Sequence, residues 1–166
     1  MFFFLSLPAY AGFQVGISTN YLNINDASYE RSNSFSKPSL SYGYNYISKP
    51  LVFTLTTNRL VNQTNSETVR KNGLAFESKT KITADTLSVG YMLNRFIPYV
   101  LLTNARVEKS LYRDKLLGKS DQYSLLYGIG STYIYNKDFN FNASLIAPNK
   151  EQGLECGVNF SINYNL

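Results

Sequence analysis

Residues 122–145, QYSLLYGIGSTYIYNKDFNFNASL, alternate large apolar side chains with small or polar ones on both sides of a polar turn. On the first limb Tyr123, Leu125, Tyr127, Ile129, Tyr133 and Tyr135 hold the odd positions, against Ser124, Leu126, Gly128, Gly130, Thr132 and Ile134. The second limb sets Phe139, Phe141, Ala143 and Leu145 against Asn140, Asn142 and Ser144. Period two predicts strands with one bulky and one small or polar face. A turn of Asn136, Lys137 and Asp138 then pairs Tyr135 with Phe139, Tyr133 with Phe141 and Ile129 with Leu145, with both bulky sets on one side of a hairpin.

The rest of the chain repeats this unit. A first strand over about Gly12 to Ile24 alternates Phe13, Val15, Ile17, Thr19 and Tyr21 with Gln14, Gly16, Ser18 and Asn20. A second, Pro38 to Ile47, sets Leu40, Tyr42, Tyr44 and Tyr46 against Ser39, Ser41, Gly43 and Asn45. After the turn Ser48, Lys49 and Pro50, a third strand opens at Leu51, and pairing Tyr44 with Phe53 puts both bulky sets on one side. The fourth carries Leu87, Val89, Tyr91 and Leu93. A turn of Asn94, Arg95 and Phe96 brings Ile97, Tyr99, Leu101 and Thr103 of the fifth onto the same face, although Val100 and Leu102 make its other face apolar too. The last strand, Gly153 to Leu166, alternates from end to end. The intervening stretches Asp26 to Lys37, Arg59 to Lys81 and Arg106 to Asp121 are polar and charged, and read as loops. Eight strands result, their connections alternately long and short.

Such a sheet closes either around its bulky face, as a soluble lipocalin-like carrier of an apolar ligand, or with that face outward. The second arrangement is a transmembrane barrel, with lipid outside and Gly, Ser, Thr and Asn in the lumen. Long and short connections alternate in such barrels, and strands of about 9 to 11 residues cross the bilayer at a tilt. No Lys or Arg falls on a bulky face at mid-strand, where it would cost about 2 to 4 kcal/mol against lipid. The fold class expected is therefore all-β, an eight-stranded antiparallel up-and-down transmembrane β-barrel. Its lipid-facing aromatics are Tyr42, Tyr44, Tyr46, Phe53, Tyr91, Tyr99, Tyr127, Tyr133, Phe141 and Phe160.

Composition agrees with strands: 14 Tyr and 11 Phe, no Trp and no His. Residues 1–11 read as the remnant of an export signal, an apolar FFFLSLP followed by Ala9, Tyr10 and Ala11, with the barrel domain at 12–166. The run lacks a preceding Lys or Arg, and a buried first strand is the other reading. A single cysteine, Cys156, excludes an internal disulfide and any Cys-based zinc site.

The final strand resembles the carboxy-terminal assembly signal of the small eight-stranded outer-membrane proteins, the OmpA transmembrane-domain and opacity-protein type. Glu155, Gly157, Phe160 and Ile162 match its polar, glycine and paired hydrophobic positions. The chain ends in Leu166 where an aromatic residue is common, with Tyr164 two before it. Phe96 to Val100, FIPYV, is similar to the strand openings of such proteins. The resemblance covers nearly the whole barrel domain and rests on pattern. It implies a monomer in a Gram-negative outer membrane, delivered by the barrel-assembly machinery and contacting outer-membrane lipids and lipopolysaccharide.

Without histidine the familiar acid/base partner of a Ser or Asp nucleophile is missing, so catalysis is not expected. No motif for a metal or a cofactor is present. Glu155 and Arg106 have lumen parity, either as a charge gate in a narrow pore or as an ion-paired plug; a buried Glu155 requires a basic partner. Arg59, Arg70, Lys71, Lys79 and Lys81 on one connection, with Arg106, Lys109, Arg113, Lys115 and Lys119 on another, form a basic crown within a net charge of +5. The crown suits the phosphates of lipopolysaccharide, or is an ordinary solvated surface. Nucleic acid is not expected, because the aromatics lie on strands and not among these cations. The function expected is non-catalytic, structural or surface-interacting, with a narrow pore or a soluble carrier as alternatives.

Overall fold

The structure, a computed structural model, describes residues 10–26, 31–59, 65–71, 74–113, 115–147 and 154–166; at 10, 20–26, 31–37, 59, 65–71, 74–76, 78, 80, 82, 109, 113, 115–116 and 154–156 only the backbone is described. The described residues are all-β. In chain order the strands are β1 Tyr10–Asp26, β2 Arg31–Ser48, β3 Leu51–Arg59, β4 Asn65–Lys71, β5 Leu74–Tyr91, β6 Phe96–Arg113, β7 Lys115–Ile134, β8 Phe139–Ile146 and β9 Leu154–Asn165. Every pairing is antiparallel between neighbours, β9 returns to β1, and β3 pairs with β5. β3 takes Thr83–Tyr91 of β5 while β4 takes Leu74–Thr80, so the two fill one stave. The sheet is a closed eight-stranded antiparallel barrel.

Where the ring is closed its strands have no free edge, which lets a sheet sit where water cannot satisfy its backbone; toward the long hairpins β4 pairs with β5 alone and Lys115–Leu126 of β7 with β6 alone among the described residues. The short turns and Leu166 share one end of the barrel, where the Leu166 amide donates to the Phe13 carbonyl at 2.8 Å. At the β7–β8 turn the Asn136 carboxamide oxygen accepts from the amides of Asp138 (2.9 Å) and Phe139 (2.7 Å). Here Tyr133 pairs with Phe141 and Ile129 with Leu145.

Four sequence expectations are corrected. Tyr46, not Tyr44, pairs with Phe53, because the β2–β3 turn is only Lys49 and Pro50; a slip of two keeps the same face. The β5–β6 turn is also two residues, Asn94 and Arg95, with Asn94 at φ 57° and Leu93 bridged to Phe96. A turn one residue shorter than expected reverses the parity of the whole of β6. The predicted loops are largely strand: β1 pairs with β2 up to Asp26–Arg31, and β6 with β7 up to Arg113–Lys115. Strands accordingly reach 20 residues, beyond the 9 to 11 expected. Of the expected leader, 1–9 lies outside the described residues, and Tyr10 and Ala11 pair with Ile47 and Tyr46.

Candidate functional site

The distribution of side chains between the two faces of the wall governs what this molecule does. Outward-facing apolar residues are exposed on every stave, among them Phe13 and Tyr127 at 64% and Ile129 at 62%. Tyr42, Tyr44, Tyr46, Tyr91, Phe141 and Phe160 are exposed, and Phe53 and Tyr133 are half-buried by neighbouring rings. Five ring pairs gird the short-turn end: Phe13–Tyr44, Tyr46–Phe53, Phe96–Tyr133, Tyr135–Phe141 and Phe139–Tyr164, with centroids 5.0 to 6.3 Å apart. An aromatic girdle flanking an apolar band is what a lipid–water boundary selects. It is also the reverse of a soluble carrier, whose rings would lie inside.

Inward, β1, β2, β3, β8 and β9 present amides and hydroxyls that satisfy one another. The Asn45 amide donates to Gln14 (3.0 Å) and Thr54 donates to Asn45 (2.7 Å). The Asn163 amide donates to Asn140 (3.0 Å), that of Asn140 to Asn165 (3.1 Å), and that of Asn142 to Ser161 (3.1 Å). Thr132 of β7 joins them through Asn142. Buried polar groups persist only when paired in this way. The facing wall is more apolar: Ile97, Leu101, Ala105 and Val107 of β6 and Leu126 of β7 are buried inside the barrel, beside Thr103 and Ser124.

Between the two walls lies a cavity of about 470 Å³. It reaches the short-turn rim at Gly12, Ile47, Asn136 and Lys137, and its lining ends toward the long hairpins at Asn58, Ala84, Ala105, Leu126, Ile146 and Asn159. Leu126 (1% exposed) and Ala105 (3%) pack with Ile146 there. Ser18, 1% exposed, hydrogen-bonds Ser39 at 2.6 Å and reaches Asn58 at 3.5 Å. On both walls inward side chains at this level are buried, and the lining of the cavity ends there.

On the outer wall beyond the apolar belt, β5, β6 and β7 carry a charged cluster. Arg106 Nη2 lies 2.8 Å from Asp121 Oδ2 and 3.3 Å from Glu108 Oε1, and Lys119 Nζ is 3.7 Å from Glu108 Oε2. The Arg106 guanidinium stands 5.5 Å from the Tyr123 ring centroid, a cation–π contact. Its hydrogen bond and charge hold the Asp121 carboxyl below the usual carboxylate range, and the hydrogen bond to Asp121, followed by the Glu108 charge, raises Arg106. Lys79 pairs with Glu77 at 3.4 Å and lies 4.8 Å from the Tyr112 ring centroid.

No protein-family model matches the chain, and no curated protein matches it in sequence. Solved structures match its shape. The attachment invasion locus protein Ail of Yersinia pestis has a TM-score of 0.66 at 12% identity, over 94% of this chain and 97% of that one. The Escherichia coli outer membrane protein W gives 0.53 at 12% identity, over 94% and 98%. The N-terminal β-barrel domain of Pseudomonas aeruginosa OprF gives 0.51 at 12% identity, over 95% and 100%. The fold is that of a small outer-membrane β-barrel.

Within this outer-membrane barrel fold, two predicted site residues change sides. Tyr99, expected on the lipid face, points into the lumen, where its ring covers Gly130 and its hydroxyl donates to the Ala143 carbonyl at 3.4 Å. Arg106, expected in the lumen, faces outward in the charged cluster and forms neither gate nor plug. Both follow from the reversed parity of β6. Glu155 lies on β9 with its side chain outside the described residues, so its expected ion pair does too. Of the basic crown, Lys79, Arg106 and Lys119 hold carboxylates and Lys81 is exposed. Arg59, Arg70, Lys71, Lys109, Arg113 and Lys115 lie on strands, with side chains outside the described residues. Sequence reasoning missed the acidic partners Glu108 and Asp121. Pairing the 106–121 stretch as a hairpin about its basic tip would have set them opposite each other, as the register does.

Proposed function

We propose that this chain is an integral, non-catalytic protein of a bacterial outer membrane that acts through the strand hairpins standing clear of the lipid. One observation carries the reading: apolar side chains of every stave lie on the outside of a closed barrel while Asn, Ser and Thr line its inside. Water does not support that arrangement, and a hydrocarbon slab flanked by interfacial rings does. By the usual asymmetry of such barrels the short turns meet the periplasm and the long hairpins the exterior. The charged cluster then stands at headgroup height, where Lys79, Lys81, Arg106 and Lys119 meet lipopolysaccharide phosphates. The carboxylates beside three of these cations temper that attraction, making the patch a positioning contact for lipid and leaving the hairpin tips for a surface partner.

The test is electrophoresis of the membrane fraction with and without boiling. A folded barrel resists dodecyl sulfate and migrates differently after heating, and protease on intact cells clips the 113–115 tip. A protein that purifies without detergent and runs identically under both conditions refutes the proposal.

A further inference from the structure

The lumen cavity has a form that neither a plug nor a pore requires. A plug fills the space inside eight strands with side chains, yet about 470 Å³ stays open, within the range of small-molecule pockets, about 300 to 1,000 Å³. A pore runs through, yet the lining of this space ends at Leu126, Ala105 and Ile146 on one wall and at Asn58 on the other, where Leu126, Ala105, Ser18 and Ser39 are buried. It is a cup opening at the short-turn end.

Its two walls differ in what they offer a guest. On β6 and β7 Ile97, Leu101, Leu126 and Ile134, with Val52 and Ile146 at their flanks, present hydrocarbon, and among them Thr86 and Thr103 hydrogen-bond each other at 2.8 Å. On the other side the amides and hydroxyls spend their hydrogen bonds on each other, from Gln14 through Asn45 to Thr54 and from Asn163 through Asn140 to Asn165. Water in the cup gains little from hydrocarbon or from amides and hydroxyls that already bond one another, so displacing it by an apolar group is favourable. Among the described lining residues one is charged, Lys137 at the mouth. Its carbonyl accepts from the Asn165 side-chain amide at 3.1 Å, which anchors the turn, and its side chain is exposed at the rim.

We propose that the cup binds one single-chain amphiphile from the periplasmic side, with its acyl tail along Ile134, Ile97 and Leu101 and its anionic head at Lys137. The length agrees. From Ile134 to Leu126 is eight residue steps, which at about 3.3 Å each and a tilt of about 40° gives roughly 20 Å of depth. That holds an extended chain of the length that fills one leaflet, about half of a 30 Å hydrocarbon core. The inference rests on the membrane-barrel reading.

The test uses the whole protein in nanodiscs with a long-chain fatty acid carrying a mid-chain diazirine. After photolysis, labelled residues are assigned by mass spectrometry. Label that saturates at one per barrel on Ile97, Leu101 or Ile134 supports the cup. Label confined to the outward neighbours Val100, Leu102 and Ile129 overturns it. Ser88→Phe, which projects a ring into the cup, cuts the inward label at least tenfold, whereas Val89→Phe on the opposite face of the same strand leaves it unchanged; equal effects of the two overturn the proposal. Should Ser88→Phe fail to fold, the labelling pattern of the parent decides alone. Lys137→Gln weakens the acid several-fold and spares the alcohol of equal chain length, and an equal response of both heads overturns the placement of the head. Competition by a lysophospholipid distinguishes a phosphate head from a carboxylate. A parent that keeps its heat-shifted mobility but takes no inward label refutes the cup only; one without the shift refutes the membrane barrel.

Discussion

A single charge placed at Ile129 tests the outward polarity of the barrel at its most demanding point. The outward row of β7, apolar but for Ser131, runs from Tyr123 to Tyr135 just past the strand's end, twelve residue steps with Ile129 at the centre. At about 3.3 Å per step and a tilt of about 40° the row rises about 30 Å, the thickness of a hydrocarbon core. Ile129 therefore lies about 15 Å from either edge, with Val100 and Leu145 beside it in the same outward row. Ile129→Arg is expected to destabilise the barrel by about 2 to 4 kcal/mol, against about 0 to 1 kcal/mol for Tyr135→Arg at the short-turn rim. The larger figure is a change of about 30- to 1,000-fold in the folding equilibrium. Reversible urea unfolding in lipid vesicles measures both. Were 62% exposed Ile129 a surface residue in water, its replacement by Arg would be nearly neutral. Equal costs at positions 129 and 135 would refute the assignment of this face to lipid.

Three further outcomes follow from the lumen and the rim. Gly130→Ala sets a Cβ against the Tyr99 ring and is expected to cost about 1 to 3 kcal/mol through overpacking. The cost falls away in a Tyr99→Ala background, and a double-mutant cycle showing no coupling contradicts the packing. Asp121 has a depressed pKa in the folded state because Arg106 donates to it, so its contribution is present above the unfolded value and lost as pH falls through the folded one. Arg106→Gln should return the Asp121 midpoint upward to the ordinary carboxylate range in carboxyl-detected NMR titration; an unchanged midpoint refutes the pair. The end of the cup among buried side chains predicts no discrete conductance steps in planar bilayers, and a stable open level would show a path past Leu126.

What could be read from the chain depended on how unlike the two faces of each strand are. Where Leu40, Tyr42, Tyr44 and Tyr46 oppose Ser39, Ser41, Gly43 and Asn45, parity alone assigns the lipid side. β6 offers no such contrast, because Ile97, Leu101, Ala105 and Val107 line an apolar lumen wall while Phe96, Val100 and Leu102 face out. Its orientation then depends entirely on whether the preceding turn holds two residues or three, and Asn94 in the left-handed region makes it two. The same single step moved Arg106 from a lumen gate to the outer rim and Tyr99 from lipid to the lumen. The strand extensions were illegible for a different reason. Above the lipid both faces of a hairpin meet water, so backbone pairing continues without any alternation to announce it.

That apolar stretch of β6 also connects the misreading to the chemistry. A barrel needing only a polar filling could have carried Ser or Asn at 97 and 101, as β8 and β9 do at 140, 144, 161 and 163. Lipid does not touch an apolar inner wall, and beside this one about 470 Å³ stays open where a plug would place side chains. Hydrocarbon facing a cup that opens at the short turns is explained by something apolar entering from that end. Replacing Ile97 and Leu101 together by Asn separates the two roles of β6. The outward row Phe96, Val100 and Leu102 remains, so insertion into vesicles and the heat-dependent gel shift should persist. Acyl-chain labelling inside the barrel should vanish. Loss of both would mean that the inner wall serves folding alone.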